Sequence, residues 1–99
     1  MPIGRVPQDI ASQREYPPYR IVWRDEAKAG IRALDRPAAM RLFEGVLRFA
    51  RTGSGDVKAL QGDLAGALRL RLGDYRVFFI LEDGAMRIFR IRHRSEAYR

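Results

Sequence analysis

The alternation of leucine and arginine in residues 67–72 is the feature that most limits what this chain can fold into. Successive side chains of a β-strand point to opposite faces of a sheet. The segment ALRLRL therefore predicts a strand with three leucines on one face and Arg69 and Arg71 on the other. The leucine face must be buried, so the chain has to build a sheet whose two faces differ chemically.

Two further strands are predicted after this one, joined by short turns. Gly73 and Asp74 form a connection short enough for a tight hairpin, and residues 75–82 are a nearly continuous apolar run. Asp83 and Gly84 are the strongest hairpin signal in the chain, and residues 85–92 return as the last strand. An aromatic and β-branched run at 19–23 predicts a separate first strand.

Two helices are predicted between the first strand and these three. Asp25 and Asp35 each precede apolar residues at helical spacing, so both are expected to be N-caps. The second helix is expected to end near Gly53 and to bury Met40, Phe43, Val46, Leu47 and Ala50. Residues 52–66 hold four glycines and no long apolar run, which predicts a loop.

The predicted order is therefore β-α-α-β-β-β. We expect an α+β fold, with two N-terminal helices packed on one face of a small, mostly antiparallel four-stranded sheet and the other face open. Trp23, Phe78 and Phe79 are expected in the core. Residues 1–18 contain four of the five prolines and no periodicity, so they are predicted to be a flexible N-terminal arm before a domain at 19–99.

The composition of the chain limits the classes of function that it can have. Ninety-nine residues with a formal charge of +7 make one domain that favours polyanionic partners. The chain has no cysteine, so we expect no disulfide framework, thiolate chemistry or metal site. A small-molecule cofactor is not expected either. No apolar run reaches the roughly 20 residues that span a bilayer, and no secretory segment is evident, so a cytoplasmic protein without a membrane partner is expected.

Eight of the seventeen arginines lie in residues 67–99, which hold only four carboxylates, so internal pairing is not expected to neutralise them. Alternation predicts that one face carries a converging set: Arg69, Arg71, Arg76, Arg92 and Arg94. Arg87 and His93 are expected to lie off that face. His93 is the only histidine and a candidate general base, although a structural or surface role is favoured because no carboxylate is paired with it by spacing.

Guanidinium groups bind phosphate oxygens through paired hydrogen bonds, and Tyr98 adds a ring to stack on a base and a hydroxyl to orient a 2′-OH. We therefore interpret the open face as a surface that binds and cleaves RNA. The alternative is a solvated outer face without function.

The segments LRLRLGDYRVFFILEDG and IFRIRHRSEAYR, together with ALDRP and VKAL, resemble the RelE/ParE superfamily of toxins from type II toxin–antitoxin systems. The similarity runs in order through about residues 19–99. It implies a RelE-like fold and a cognate antitoxin. It also implies one of two activities, because the RelE branch comprises metal-free mRNA endonucleases that enter the ribosomal A site, whereas the ParE branch poisons DNA gyrase.

The resemblance also implies site residues. Arg71 occupies a position held by a catalytic lysine in some members, Arg76 is the phosphate-binding arginine, and Tyr98 is the tyrosine near the C-terminus. Arg92 is the remaining catalytic arginine, with Arg94 a close second, and Arg69 and Arg94 would extend the RNA-binding surface. This basic-plus-tyrosine set favours the RelE branch.

One departure from the family pattern concerns proton transfer. Arginine stands at 69 and 71 where lysine is expected, and a guanidinium is a poor proton shuttle. Either Tyr98 is the base, or catalysis rests on charge stabilisation and on alignment by the ribosome. Three functions remain open: a ribosome-dependent mRNA interferase, a gyrase inhibitor, and an inactive antitoxin- or RNA-binding member.

Overall fold

The computed structural model describes residues 16–97, which form one mixed five-stranded sheet with helices. Its elements are β1 (Arg20–Trp23), α1 (Asp25–Arg32), α2 (Arg36–Thr52), β2 (Asp56–Ala59), β3 (Leu68–Leu72), β4 (Tyr75–Glu82), β5 (Ala85–His93) and α3 (Arg94–Ala97). The strand order is β1-β5-β4-β3-β2, with β1 parallel to β5 and the other neighbours antiparallel. Most of the predicted arm, and Tyr98, lie outside the described residues.

The predicted α+β class and the mostly antiparallel sheet are confirmed, but the number of strands is wrong. Residues 52–66 were expected to be a loop, yet Asp56–Ala59 forms the edge strand β2 beside β3. This strand is too short for an alternation of its own to stand out. Its regularity comes from pairing, since Val57 and Ala59 lie opposite Leu70 and Leu68 of β3.

The core lies between α2 and one face of the sheet. The leucines of β3 and alternate residues of β4 and β5 form its floor, and Phe49 of α2 packs against Tyr19 and Phe79 with ring centroids 5.8 and 5.2 Å apart. The stripe predicted for α2 is partly wrong, because Met40, Phe43 and Leu47 are exposed. Apolar residues lie on most sides of this helix, so the sequence pattern alone does not show which side is buried. In the structure, the side that carries Phe49 packs into the core.

Capping residues fix the ends of the helices. The Asp35 carboxylate accepts the Ala38 N–H at 2.8 Å, and Gly53 ends α2 with a φ of 73°, as predicted. Asp25 is not a cap, because Arg24 holds that position and Asp25 begins α1, where a carboxylate still favours the helix dipole. None of the helices within residues 16–97 combines the length and apolar character needed to cross a membrane.

Both predicted hairpins are present, and β5 contains an irregularity that the sequence did not indicate. Asp83 and Gly84 have φ of 55° and 72°, the conformation of a two-residue turn with matching twist. Between the pairs Phe79–Ile88 and Phe78–Arg90, Phe89 is an extra residue on β5. Such a bulge shifts the alternation of the strand by one residue, so the side chains before and after it follow different phases.

Candidate functional site

The open face of the sheet, away from α2, carries a row of three arginines from three neighbouring strands. In the register, Arg71 of β3 pairs with Arg76 of β4, which pairs with Arg92 of β5. Neighbouring strands are about 4.8 Å apart, and directly opposed side chains share a face. We call these three residues the arginine row. The structure therefore brings together the three arginines that the sequence singled out as catalytic.

A second row lies next to the first along the strands. It consists of Lys58, Arg69, Phe78 and Arg90, on β2, β3, β4 and β5 respectively. Arg69 lies on the predicted face, but Lys58 was missed because its segment was interpreted as a loop. The alternation of polar and apolar residues at Asp56, Val57 and Lys58, where the VKAL segment begins, is the weak signal that marks this lysine as a strand residue.

Arg76 differs from its neighbours because it is only 3% exposed. One terminal nitrogen of its guanidinium donates hydrogen bonds to the carbonyl oxygens of Gly73 and Tyr75, at 2.9 and 3.1 Å. These carbonyls belong to the β3–β4 hairpin and compensate part of the cost of burying a charge. Arg76 is thus a fixed positive charge beneath the surface, whereas Arg71 is exposed and Arg92 is half-exposed.

The open face is not free of carboxylates, contrary to the expectation from its own segment. Glu26, in the first turn of α1, accepts a hydrogen bond from Arg90 at 2.9 Å, and the same oxygen lies 3.4 Å from Arg92. Its partners lie more than sixty residues away in the chain, so local charge counting could not detect the pairing. At the surface such pairs are weak, because solvent screens both partners. Glu26 is therefore a displaceable partner of two arginines.

The positions of Arg87 and Arg94 correct the predicted arrangement. Arg87 pairs in register with the exposed Ile80 and lies on the open face, 3.3 Å from Glu82, because it precedes the Phe89 bulge. Arg94 begins α3 instead of continuing β5, and its Nε lies 3.7 Å from the Asp74 carboxylate. A role for Arg94 at the site stays a prediction.

His93 initiates the helix that leads to Tyr98. Its Nδ1 accepts the Ser95 N–H at 3.2 Å, and its backbone N–H donates to the Glu96 carboxylate at 3.1 Å. This reciprocal arrangement is a capping box at the start of α3. The ring also packs edge-on against Tyr75 on the helical side, away from the arginine row as predicted. The geometry gives His93 a structural role; Tyr98 itself lies outside the described residues.

The arrangement of these side chains suits a chain of phosphates. Within residues 16–97, register and contacts place seven cations on the open face, namely Lys58, Arg69, Arg71, Arg76, Arg87, Arg90 and Arg92. The carboxylates found near them are Glu26 and Glu82, with Asp56 opposite Arg71 and with Asp25 and Asp63 in a cavity beside Arg87. The excess of guanidinium groups, held at strand spacing, can bind several phosphate oxygens at once.

Comparisons with known proteins identify the family and the fold of this chain. A family model described as the ParE toxin of type II toxin–antitoxin system, parDE, matches residues 21–98. The RelBE2 toxin–antitoxin complex from Mycobacterium tuberculosis contains a chain with 24% identity and a TM-score of 0.72, and the alignment covers 80% of this chain and 94% of that one.

Two further solved structures have a similar fold. A chain of the archaeal RelE–RelB complex from Pyrococcus horikoshii is 24% identical, with a TM-score of 0.64 and coverage of 81% of this chain and 99% of that one. The YoeB/ParE toxin from Agrobacterium tumefaciens is 18% identical, with a TM-score of 0.61 and coverage of 75% and 96%. A comparison with curated proteins finds no match. These structures confirm the predicted RelE-like fold.

Proposed function

This chain belongs to the ParE toxin family of type II toxin–antitoxin systems, within the RelE/ParE superfamily, and we propose that it acts as a ribosome-dependent mRNA endonuclease. The observation that carries the proposal is the arginine row. Arg71, Arg76 and Arg92 lie side by side on three strands, and the second row continues the positive surface. A surface of this kind supplies the positioning and charge stabilisation that phosphodiester cleavage requires.

The proposed reaction needs neither a metal nor an added cofactor. The 2′-oxygen of one ribose attacks the adjacent phosphorus and loses its proton to a base, and the bond from phosphorus to the 5′-oxygen breaks. The leaving oxygen takes up a proton. The products are a 2′,3′-cyclic phosphate and a 5′-hydroxyl. Tyr98 is the proposed base or orienting group for the 2′-OH.

The roles proposed for the three arginines differ with their exposure to solvent. Arg71 and Arg92 lie at the two ends of the row and are accessible to solvent, so they are the residues proposed to contact the phosphate and the leaving oxygen. Arg76 is buried between them and acts as a positioning residue whose fixed charge stabilises the negative charge that develops on the phosphate. Because guanidinium groups stay protonated, none of the three arginines accepts or gives up a proton; the base takes the 2′-OH proton, and the proton that the leaving 5′-oxygen takes up comes from a group other than these arginines.

The proposed partners follow from the same surface. An mRNA held in the ribosomal A site would present its backbone to the arginine row, and the action would take place in the cytoplasm. A cognate antitoxin is also proposed, because similar chains come from the RelBE2 toxin–antitoxin complex of Mycobacterium tuberculosis and the RelB–RelE antitoxin–toxin complex of Methanococcus jannaschii. An acidic antitoxin segment over the open face would neutralise it and block access by RNA.

Cleavage of mRNA on programmed ribosomes tests this function. Arg71→Ala and Tyr98→Phe should each slow cleavage by about 100-fold or more, the usual effect of removing one transition-state contact. Arg51→Ala removes an exposed arginine from α2 and is the matched control, with an expected rate equal to wild type. Mapping the ends by primer extension and phosphatase treatment checks the products. Equal rates in all four proteins would exclude the proposed roles.

Inhibition of DNA gyrase is the second candidate, because the family model that matches is that of ParE toxins. Under this alternative the arginine row would contact a protein or DNA surface and perform no chemistry. Purified protein should then block supercoiling by gyrase while leaving ribosome-bound mRNA intact, and expression should induce the SOS response. Cleaved mRNA with active gyrase excludes this candidate.

A further inference from the structure

The open face carries a second feature, a cavity of about 740 Å³ at the end nearest the β4–β5 hairpin. Ile80 and Phe89 line its floor beside Arg87. Residues 24–26, at the start of α1, form one wall, and residues 63–67 form the other. The volume lies within the range of small-molecule sites, about 300–1,000 Å³.

The apolar residues of the cavity floor, Ile80 and Phe89, do not belong to the hydrophobic core. Phe79 and Ile88 face α2 and are fully buried, whereas Ile80 is 37% exposed and Phe89 is half-buried on the opposite side of the same strands. The bulge in β5 is what brings Phe89 to this side, where its ring lies 6.3 Å from that of Phe78. An aliphatic and an aromatic side chain thus lie close to Phe78, among the cations of this surface.

Glu26 connects the cavity to the arginine row, because it lines the cavity and its carboxylate pairs with Arg92. The Arg90 guanidinium lies 5.8 Å from the centre of the Phe89 ring, and Arg90 is linked to Arg92 through the shared carboxylate of Glu26. Residues two apart on a strand are separated by about 6.7 Å. Ile80 is four residues from Arg76 on β4 and Phe89 is three from Arg92 on β5, so a ligand bound through a phosphate at the arginine row reaches the cavity floor about 10–13 Å further along the strands.

The chemistry of the lining selects a base over a second phosphate. Asp25 and Asp63 place carboxylates at opposite walls, where they would repel an anion but accept hydrogen bonds from the amino or imino groups of a base. Arg24 and Arg87 supply donors for ring nitrogens and carbonyl oxygens. A flat group with apolar faces and a polar edge fits such a lining, and stacking on an aromatic ring is how proteins hold unpaired bases.

We propose that this cavity binds one unpaired nucleobase of single-stranded RNA, from a nucleotide next to the one whose phosphate the arginine row holds. The inference rests on the proposed function and adds a base-binding subsite to it. Double-stranded RNA is not a ligand of this subsite, because its bases are stacked and their edges are paired.

Binding of short oligonucleotides tests the subsite separately from cleavage. The probe is a fluorescent five-nucleotide RNA with 2′-O-methyl groups, which cannot be cleaved, and its partner is the same strand with abasic residues on both sides of the central phosphate. Wild type should bind the abasic strand about 5- to 150-fold more weakly, the range expected from one stacked base. Anisotropy at low salt measures both affinities.

Four variants show whether a lost preference for bases comes from the cavity. Phe89→Ala and the milder Ile80→Ser should bind both strands with the affinity that wild type has for the abasic strand, and Met40→Ala, at an exposed apolar residue of α2, should behave as wild type. Arg71→Ala should weaken both strands by the same factor. Circular dichroism checks that each variant is folded.

The possible failures are distinguishable. Equal affinity of wild type for the two strands, or equal weakening of both by Ile80→Ser, overturns the subsite even if ribosomal cleavage proceeds. A preference for the base-containing strand that Ile80→Ser abolishes supports the subsite, and it would do so even if mRNA cleavage were absent. Competition by an RNA duplex as strong as that by the single strand would also overturn the proposal.

Discussion

The two faces of the sheet arise from the same alternation of side chains, but they are stabilised in different ways. On the covered face, Leu68, Leu70, Val77 and Phe79 are packed under α2 and exclude water. On the open face, like charges stand opposite one another, an arrangement that costs stability unless a ligand or a carboxylate compensates. The difference predicts that the covered face supplies most of the stability of the fold, whereas the open face contributes little to it and is free to serve the binding role proposed above.

The largest effect is expected from the covered face. Phe79→Ala leaves a cavity at the centre of the core and should lower the free energy of unfolding by about 3–5 kcal/mol, which is a large part of the total for a small domain. Ile80→Ala, one residue along on the open face, should change it by less than about 1 kcal/mol. Urea denaturation followed by circular dichroism measures both. Equal losses would show that the two faces contribute alike.

Arg76 is the exception on the open face, and its loss should be intermediate. Arg76→Ala leaves the Gly73 and Tyr75 carbonyls without this donor and should cost about 1–3 kcal/mol. Arg71→Ala, at its exposed neighbour, should stay within about 0.5 kcal/mol of wild type. Thermal unfolding compares them, and a neutral Arg76→Ala would contradict the structural part of its role.

The chain's two lysines allow a direct comparison of binding between regions. Lys58 lies on the open face, and Lys28 lies on α1 beside Trp23 and Phe43. If Lys58 contacts a phosphate, Lys58→Ala should reduce the slope of log affinity against log salt for single-stranded RNA by about 0.7. Lys28→Ala should leave the slope unchanged. A titration from low to moderate salt measures it, and identical slopes would remove Lys58 from the binding surface.

The smallest effect is expected from Glu26. Glu26→Gln removes the carboxylate shared by Arg90 and Arg92, so both arginines become more available to phosphate. RNA should bind roughly two- to five-fold more tightly, in keeping with an exposed ion pair, and stability should hardly change. Asp35→Asn, which alters charge but keeps an N-cap, controls for net charge. Weaker binding by the Glu26 variant would contradict its role as a displaceable partner.

The sequence predicts the local features of this molecule well. Alternation at residues 68–72, the turn at Asp83 and Gly84, and the cap at Asp35 each depend on neighbours a few residues away. Arg71 and Arg76 are likewise placed on one face by alternation, because each lies one residue beyond the pair Leu72 and Tyr75, which flanks the two-residue turn.

Features that depend on distant contacts could not be predicted. The strand character of Lys58 comes from pairing with β3, and the exposure of Phe43 depends on how α2 is rotated against the sheet. The pairing of Glu26 with Arg90 joins residues far apart in the chain. Arg87 was misplaced because a bulge leaves only a slight trace in composition.

The bulge at Phe89 decides which residues of β5 lie on the open face. One additional residue sets Arg87 before it and Arg90 and Arg92 after it to the same side, which strict alternation would not allow. Deleting Phe89 would restore strict alternation along β5. Either the arginines or the core residues of this strand would then lie on the wrong face of the sheet. Homologous chains should therefore tolerate substitution at this position far better than deletion.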